Sequence, residues 1–255
     1  MISALGFESY TATSIILLVA TAFTAGLARG FSGFGAALIF MPMASAFMSA
    51  QVAAPLLLIV DMVATLPLIP GAFRRADKRD VALMVAGALI GVPFGTWALT
   101  VMNPLAVRWM IVALIVPMLA LMISGWRYTG RVTAAATMSV GSIAGFFGGV
   151  AQVGGPPIVL YWLRDTGQAI ITRANIILYF AVSDVIITAA YLAGGLLSRA
   201  ILGLALVIGP AFGIGLWLGS HMFGLASEET FRRICYALIA LAALVSLPVL
   251  DGWLR

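Results

Sequence analysis

Two glycine-rich stretches are the parts of this sequence best suited to bind a ligand. The first runs from Gly30 to Gly35 and the second from Gly148 to Pro157, and each adjoins an apolar run. A helix broken inside a membrane leaves main-chain N–H groups without intrahelical partners, and the half-helix that follows points its positive dipole end at the gap. We therefore expect a small anion at the junction of the two breaks.

Several side chains in or beside the breaks could assist that main chain. Ser32 and Gln152 are polar residues within the breaks, and nearby arginine and asparagine residues add cationic and amide donors. The predicted binding residues are Ser32, Gly33, Phe34, Gly35, Gln152, Val153, Gly154, Gly155, Arg29, Arg173 and Asn175. Two other interpretations stay open: the glycines serve only close helix packing, and Arg173 anchors its helix at the membrane interface.

Two aspartates near the middle of apolar segments are candidates for ion coupling. An aspartate at the centre of a membrane helix costs about 2.5–3.5 kcal/mol, so Asp61 and Asp184 should face the protein interior, find a partner or take up a proton. Thr65 and Thr188 follow four residues later on the same helical face, and we expect their hydroxyls to donate to the carboxylates. A proton is the expected coupling ion, and a purely structural buried hydrogen bond is the alternative.

The composition indicates that membrane helices must position these groups. Of the 255 residues, 63% are hydrophobic and 9% charged, and mean hydropathy is +1.13. A soluble domain averages about 25% charged residues, so the chain is expected to lie in the lipid bilayer. The fourteen Lys and Arg residues form short clusters between apolar runs, which indicates membrane topology and no nucleic-acid partner.

Ten apolar segments can be marked, and a helix is expected in each because the runs are apolar on all faces. They lie at about 12–29, 34–50, 52–73, 81–101, 105–123, 133–150, 154–163, 173–195, 199–219 and 230–249. The second contains Pro42 and the seventh opens with Pro156-Pro157 and is barely ten residues long, so both are candidate half-helices. Tyr161 and Trp162 are interpreted as part of an interfacial aromatic belt.

The distribution of basic residues predicts the orientation in the membrane. If all ten segments cross, the N-terminus is extracytoplasmic and most basic residues lie on the cytoplasmic side. That side then holds Arg74, Arg75, Lys78, Arg79, Arg127, Arg131, Arg164, Arg173, Arg232 and Arg233, and the other holds Arg108, Arg199 and Arg255.

The sequence also predicts two inverted repeats, residues 1–127 and 128–255, of five segments each. The fold class expected is an all-α polytopic membrane protein built from these repeats, with glycine-broken helices. Small-residue patterns recur 119 residues on, Asp61 and Thr65 recur as Asp184 and Thr188, and Phe94-Gly95 recurs as Phe212-Gly213. The matches at 119 residues are Ala25-Gly26 with Ala144-Gly145, Gly30 with Gly149, and Phe34-Gly35 with Val153-Gly154.

At these breaks the sequence resembles the TauE/SafE family of sulfite and organosulfur-anion transporters, in the stretches Gly26 to Pro42 and Gly145 to Pro157. The resemblance implies a bacterial inner-membrane transporter of sulfite, sulfoacetate or another sulfonate. The first copy departs from a triple glycine at Gly35-Ala36-Ala37, so the two half-sites are expected to contribute unequally.

The leading hypothesis is therefore a secondary transporter for a small sulfur-containing anion, without a cofactor or metal. No nucleotide-binding loop is present, so an ion or substrate gradient must drive it. The alternative is a non-transporting membrane subunit or assembly factor. An enzyme is disfavoured because the chain has one histidine and no hydrolase triad or HExxH motif.

Overall fold

The computed structural model describes residues 11–125, 130–162, 169–222 and 228–248, and every regular element in these ranges is a helix. A 3₁₀ turn, Leu66–Leu68, joins α3 to α4. The helices are α1 (Ala12–Ser32), α2 (Ala36–Phe47), α3 (Ala50–Thr65), α4 (Ile69–Arg75), α5 (Lys78–Val101), α6 (Pro104–Ile123), α7 (Ala134–Ala151), α8 (Gly155–Trp162), α9 (Ala169–Ala193), α10 (Arg199–Met222) and α11 (Glu228–Val245).

Within the described ranges, seven of these stretches are long and apolar enough to cross a membrane. They are α1, α3 continued through α4, α5, α6, α7, α9 and α10. Large side chains such as Phe94, Trp97 and Leu206 are 63–76% exposed, as expected where a helix faces lipid. The predicted all-α, multi-pass membrane fold is confirmed.

The second and seventh predicted segments are short helices, α2 and α8. At 1.5 Å per residue they are about 18 and 12 Å long, well short of the roughly 30 Å of hydrocarbon. Pro42 lies inside α2 without ending it. Pro156 and Pro157 lie in the first turn of α8, where a missing N–H costs little.

Side-chain caps fix where several long helices begin. Thr11, Asp77, Asn103 and Thr133 each accept a hydrogen bond from a first-turn N–H of the helix that follows. Each such cap contributes about 1 kcal/mol. The starting positions of these four helices are therefore well defined.

Glycines bring two pairs of helices into main-chain contact. A Cβ added at Gly26 or Gly30 of α1 would overlap the main chain of α10, and one added at Gly215 or Gly219 of α10 would overlap α1. In the same way α5 and α7 interlock through Gly87, Gly91, Gly95, Gly141, Gly145 and Gly149. For these glycines the packing interpretation is confirmed.

The contacts also show which glycines of α5 and α10 occupy equivalent positions against the helices that they pack on. Gly91 meets Ser142 O and Gly215 meets Phe23 O, while Gly95 and Gly219 take the next positions along the same faces. Gly91 and Gly215 lie 124 residues apart, as do Gly95 and Gly219. Gly213 has no atom within 4 Å of an added Cβ, so the predicted match of Phe94-Gly95 with Phe212-Gly213 was wrong.

Candidate functional site

Each predicted break is a short left-handed turn between two helices. Gly33, at φ 79°, ends α1, and Gly35, at φ 97°, precedes α2. Gln152, at φ 60°, ends α7, and Gly154 follows before α8 begins. Gly33 and Gln152 lie 119 residues apart, as the predicted repeat requires, while Gly30 and residues 148–151 are helical. The breaks are confirmed and are narrower than the glycine-rich stretches.

A small cavity of about 30 Å³ lies where the two breaks meet. It has room for one or two water molecules. We call it the central cavity; it is lined by Arg29, Gly35, Ala36, Ala37, Leu38, Leu57, Asp61, Gln152, Val153, Gly155, Pro156 and Phe180. The chain therefore brings together five of the predicted binding residues, Arg29, Gly35, Gln152, Val153 and Gly155, and one predicted coupling residue, Asp61.

Arg29 and Asp61 form a two-point ion pair on one wall of the central cavity. Arg29 Nε donates to Asp61 Oδ1 at 3.0 Å, and Nη2 lies 3.0 Å from Oδ2. Nη1 also donates to Gly33 O at 2.6 Å. The Arg29 charge, predicted as a donor for the anion, is thus balanced by Asp61, and part of its hydrogen-bonding capacity holds the first break.

Phe180 is a lining residue that the sequence interpretation missed. The Arg29 guanidinium lies 4.6 Å from the centre of the Phe180 ring, a cation–π contact that fixes the plane of the ion pair. Phe180 precedes Asp184 by four residues, and Leu57, also missed, precedes Asp61 by four. Because each lies one helical turn before a candidate aspartate, on the same helical face, this spacing could have identified both residues from the sequence.

Gln152 contributes the unpaired donor of the cavity. Its side-chain Nε2 is buried and has no hydrogen-bond partner among the described residues. The Tyr191 hydroxyl lies beside this amide and donates its own proton to Gly149 O at 2.9 Å. A buried amide N–H without an acceptor costs about 1–3 kcal/mol, so this residue is disposed to bind an acceptor.

The two short helices begin at the central cavity. The first turn of α2, from Gly35 to Leu38, lines it, and no side chain caps this helix. Its first N–H groups and its positive dipole end therefore face the cavity. In α8 the equivalent turn contains Pro156 and Pro157, which have no N–H to offer. The two half-sites are unequal, and α2 supplies more main-chain donors.

Asp184 lies close to this ion pair and is 2% exposed. It interacts electrostatically with Asp61 and Arg29, and among the described residues it forms no salt bridge. The two aspartates therefore differ: Asp61 shares the guanidinium of Arg29, and Asp184 does not.

The predicted hydrogen bonds from the threonines to the carboxylates were wrong. Thr65 Oγ1 donates to the main-chain O of Asp61, and Thr188 Oγ1 to the main-chain O of Asp184, both at 2.7 Å. A threonine inside a helix commonly bonds the carbonyl one turn back, because that acceptor is always within reach. These hydroxyls therefore do not orient the carboxyl groups.

Other predicted binding residues lie around the cavity without lining it. Arg173 donates from Nη2 to Gly30 O at 3.0 Å and packs beside Gly33, so it supports the first break. Phe34 lies beside Gly155 and thereby joins the two breaks. Gly154 packs on the main chain of α7, and the side chain of Ser32 lies outside the described part of the structure.

Asn175 and the predicted aromatic belt have a different role. Asn175 Oδ1 accepts from Asp77 N at 2.8 Å, and Trp162 Nε1 donates to Asp80 Oδ2 at 2.6 Å. Tyr161 and Trp162 are 2% and 4% exposed, and the Tyr161 hydroxyl lies 2.7 Å from Thr137 Oγ1. The belt interpretation was wrong because these aromatic residues are buried and tie α8 to the first turn of α5 and to α7.

Comparison with known proteins agrees with this architecture. The family model described as "Sulfite exporter TauE/SafE" matches residues 18–246. A relative from Cupriavidus necator, named "Probable sulfite/organosulfonate exporter TauE", is 26% identical over 238 residues, which cover 87% of this chain and 90% of the relative. No solved structure matches the chain.

Proposed function

This chain belongs to the sulfite exporter TauE/SafE family, and from that premise we propose that it carries sulfite or a small sulfonate such as sulfoacetate across the inner membrane. The observation that supports this proposal is the central cavity, where both breaks, a helix N-terminus and an unpaired buried amide converge. The relative's printed name, a sulfite/organosulfonate exporter, points to the same substrate class.

A sulfonate or sulfite group has three oxygens that need donors. In this proposal the Gln152 amide serves one, and the first-turn N–H groups of Ala36 and Ala37 serve another. A guanidinium has five N–H donors, and the contacts of Arg29 with the described residues use three of them; in this proposal the other two bind the substrate. The preference for an anion then comes mainly from α2 and Gln152, because Asp61 balances the charge of Arg29.

Transport requires the central cavity to open to each side in turn. A volume of about 30 Å³ holds one or two water molecules and is too small for an ion with a sulfur and three oxygens. We propose that this closed arrangement lies between an outward-open and an inward-open state, as alternating access requires.

The proposed moving units are the two inverted repeats, residues 1–127 and 128–255; their boundary lies outside the described residues. The pairing of α1 with α10 has its counterpart in the pairing of α7 with α5, and both breaks turn left-handed at positions 119 residues apart. An arrangement with this internal correspondence can exchange two related conformations by rocking one half against the other.

We propose that a proton accompanies the anion and that Asp184 binds it. The charged groups near Asp184 are Asp61 and Arg29, with the Tyr179 and Tyr191 hydroxyls on its own helix. A second negative charge beside Asp61 would repel an incoming anion, whereas a neutral carboxylic acid would not. Proton and anion binding then favour each other, so apparent affinity rises as pH falls.

The proposed orientation places the N-terminus outside and Arg74–Asp80 in the cytoplasm. Contacts between segment ends support placing these loops on one common side of the membrane. Asp77 and Asp80 contact Asn175 and Trp162, on segment ends that the basic-residue pattern also assigns to the cytoplasmic side. Fast labelling of a Lys78→Cys protein from the extracellular side would contradict this orientation.

Flux into proteoliposomes tests the proposed function. Purified protein should carry sulfite and short sulfonates, faster with an imposed pH gradient, and Gln152→Ala should weaken apparent affinity. Phe94→Ala, a lipid-facing change, is the control. Absence of flux for every sulfur anion, with folded protein, would overturn the proposal in favour of a non-transporting membrane subunit.

A further inference from the structure

A second cavity lies at the other end of the helices that wall the central one. It has a volume of about 350 Å³, roughly ten times that of the central cavity. We call it the outer cavity; it is lined by Ser45, Ala46, Met48, Ser49, Pro104, Leu105 and Arg108. In contrast to the central cavity, this volume can accommodate an organic anion without rearrangement.

The lining of the outer cavity is basic and rich in donors. Arg108 is only 7% exposed although it lies in an otherwise apolar bundle, and its Nη2 donates to Ser246 O at 2.9 Å. Ser45 and Ser49 add hydroxyl groups, of which that of Ser45 donates to Pro42 O at 3.1 Å in this conformation. α3 begins here at Ser49 without a side-chain hydrogen bond to its first turn, so its positive dipole end faces the same space. Among the residues that the structure describes, no Asp or Glu lines this cavity.

Two helices connect the outer cavity with the central one. α2 lines the central cavity at Leu38 and the outer cavity at Ser45, and α3 lines the outer cavity at Ser49 and the central one at Leu57. At 1.5 Å per residue these intervals correspond to roughly 10 and 12 Å. Most of the residues between them are buried, so packed side chains separate the two cavities in this conformation.

We propose that the outer cavity is a second anion-binding station, in which Arg108, Ser45 and Ser49 hold a sulfonate on its way to or from the central cavity. This inference rests on the proposed function for the identity of the anion. In the proposed orientation the outer cavity opens on the extracytoplasmic side, so in an exporter it receives the anion after the central cavity releases it outward.

Charged thiol reagents can test this station without measuring transport. The chain has one cysteine, so a Cys235→Ser background carrying Ser49→Cys reports on the outer cavity alone. In neutral detergent, the modification rates by an anionic sulfonatoethyl and a cationic trimethylammonioethyl methanethiosulfonate are measured. Ser198→Cys is the reference position. It is exposed and next to Arg199, so its rate ratio already includes the effect of an arginine at the surface.

The ratio of anionic to cationic rate should be higher at Ser49→Cys than at Ser198→Cys. It should fall about fivefold when Arg108→Gln is added and persist with Arg108→Lys, because the bias comes from the positive charge. Ethanesulfonate should slow the modification of Ser49→Cys more than the same concentration of sodium chloride, a comparison that needs no change at Arg108.

Equal rate ratios at the two positions, together with no protection by ethanesulfonate, would overturn the station. The buried Arg108 would then have a structural role, which includes its hydrogen bond to Ser246 at the end of α11. A bias that persists in a protein without sulfur-anion flux would instead refute the proposed function and leave the anion site standing. The two failures are therefore distinguishable.

Discussion

The two breaks have the same main-chain form and different chemistry. Gly33 and Gln152 both close their helices in the left-handed conformation, and both breaks lead into a short helix whose first turn lines the central cavity. The first break adds a charged pair, Arg29 with Asp61, and an uncapped helix. The second adds a neutral amide, two prolines and a buried aspartate. Under the proposed function, the N-terminus of α2 and the Gln152 amide, one from each half, hold the anion, and Asp184 of the second half handles the proton.

Gln152 accounts for one chemical difference between the two breaks. A non-glycine residue in the left-handed region costs about 1 kcal/mol, and the counterpart Gly33 avoids that cost. The second half therefore keeps a strained residue where the first keeps a relaxed one. The strain places an amide at the cavity, as expected of a residue retained for binding.

The largest expected effect concerns the packing that both halves share. Gly95→Val should abolish folded protein, because its side chain would overlap the main chain of α7 at Phe146 O. Gly213→Val is the matched control and should fold normally, since an added Cβ there meets nothing within 4 Å. The measurement is the monodisperse yield after size exclusion. Similar yields from the two proteins would refute the correspondence of Gly95 with Gly219.

The next effect separates the charged break from the neutral one. Arg29→Gln should destabilise the protein by about 3 kcal/mol, since Asp61 would lose its ion-pair partner. Adding Asp61→Asn should recover most of that loss, because no uncompensated carboxylate remains. Thermal unfolding in detergent measures both. If the double variant is no more stable than Arg29→Gln, the pair contributes through shape and not through charge.

The two aspartates should differ in their effect on pH dependence. Asp184→Asn resembles the protonated acid, so apparent affinity for the anion should stay high and stop changing with pH. Thr188→Val is the control: its hydroxyl bonds the main chain, so pH dependence should remain. Transport by Asp184→Asn and by Asp61→Asn that keeps the parent's pH dependence would show that neither carboxyl couples a proton.

The smallest expected effect concerns Gln152 and its strained left-handed conformation. Gln152→Gly should stabilise the protein by about 1 kcal/mol, because glycine adopts the left-handed conformation freely. The same change removes the amide and should raise the substrate concentration needed for half-maximal transport. Gly33→Ala adds strain without removing a donor. It should therefore destabilise the protein and leave the substrate concentration for half-maximal transport unchanged. A Gln152→Gly protein that gains stability and keeps its affinity would exclude the amide from the site.

The sequence identified the breaks, the short helices and both aspartates, because each rests on a local signal: glycine spacing, segment length, or a charge in an apolar run. It did not identify the pairing of Arg29 with Asp61, which joins residues on different helices. Trp162 was assigned to the membrane interface because only the fold places Asp80 beside it. The residue-by-residue correspondence between α5 and α10 was missed since glycine-rich sequences offer several similar matches, and only the main-chain contacts of α5 with α7 and of α10 with α1 select one.

A crystal structure with bound selenite tests whether the anion binds where the two breaks meet. Selenite resembles sulfite in charge and shape, and selenium gives an anomalous signal that locates it unambiguously. If the anion binds at that junction, the central cavity opens to admit it, and a peak is expected beside the Gln152 amide and the first turn of α2 that is lost in Gln152→Ala. A fully occupied peak elsewhere in the protein, with the central cavity empty, would contradict this location.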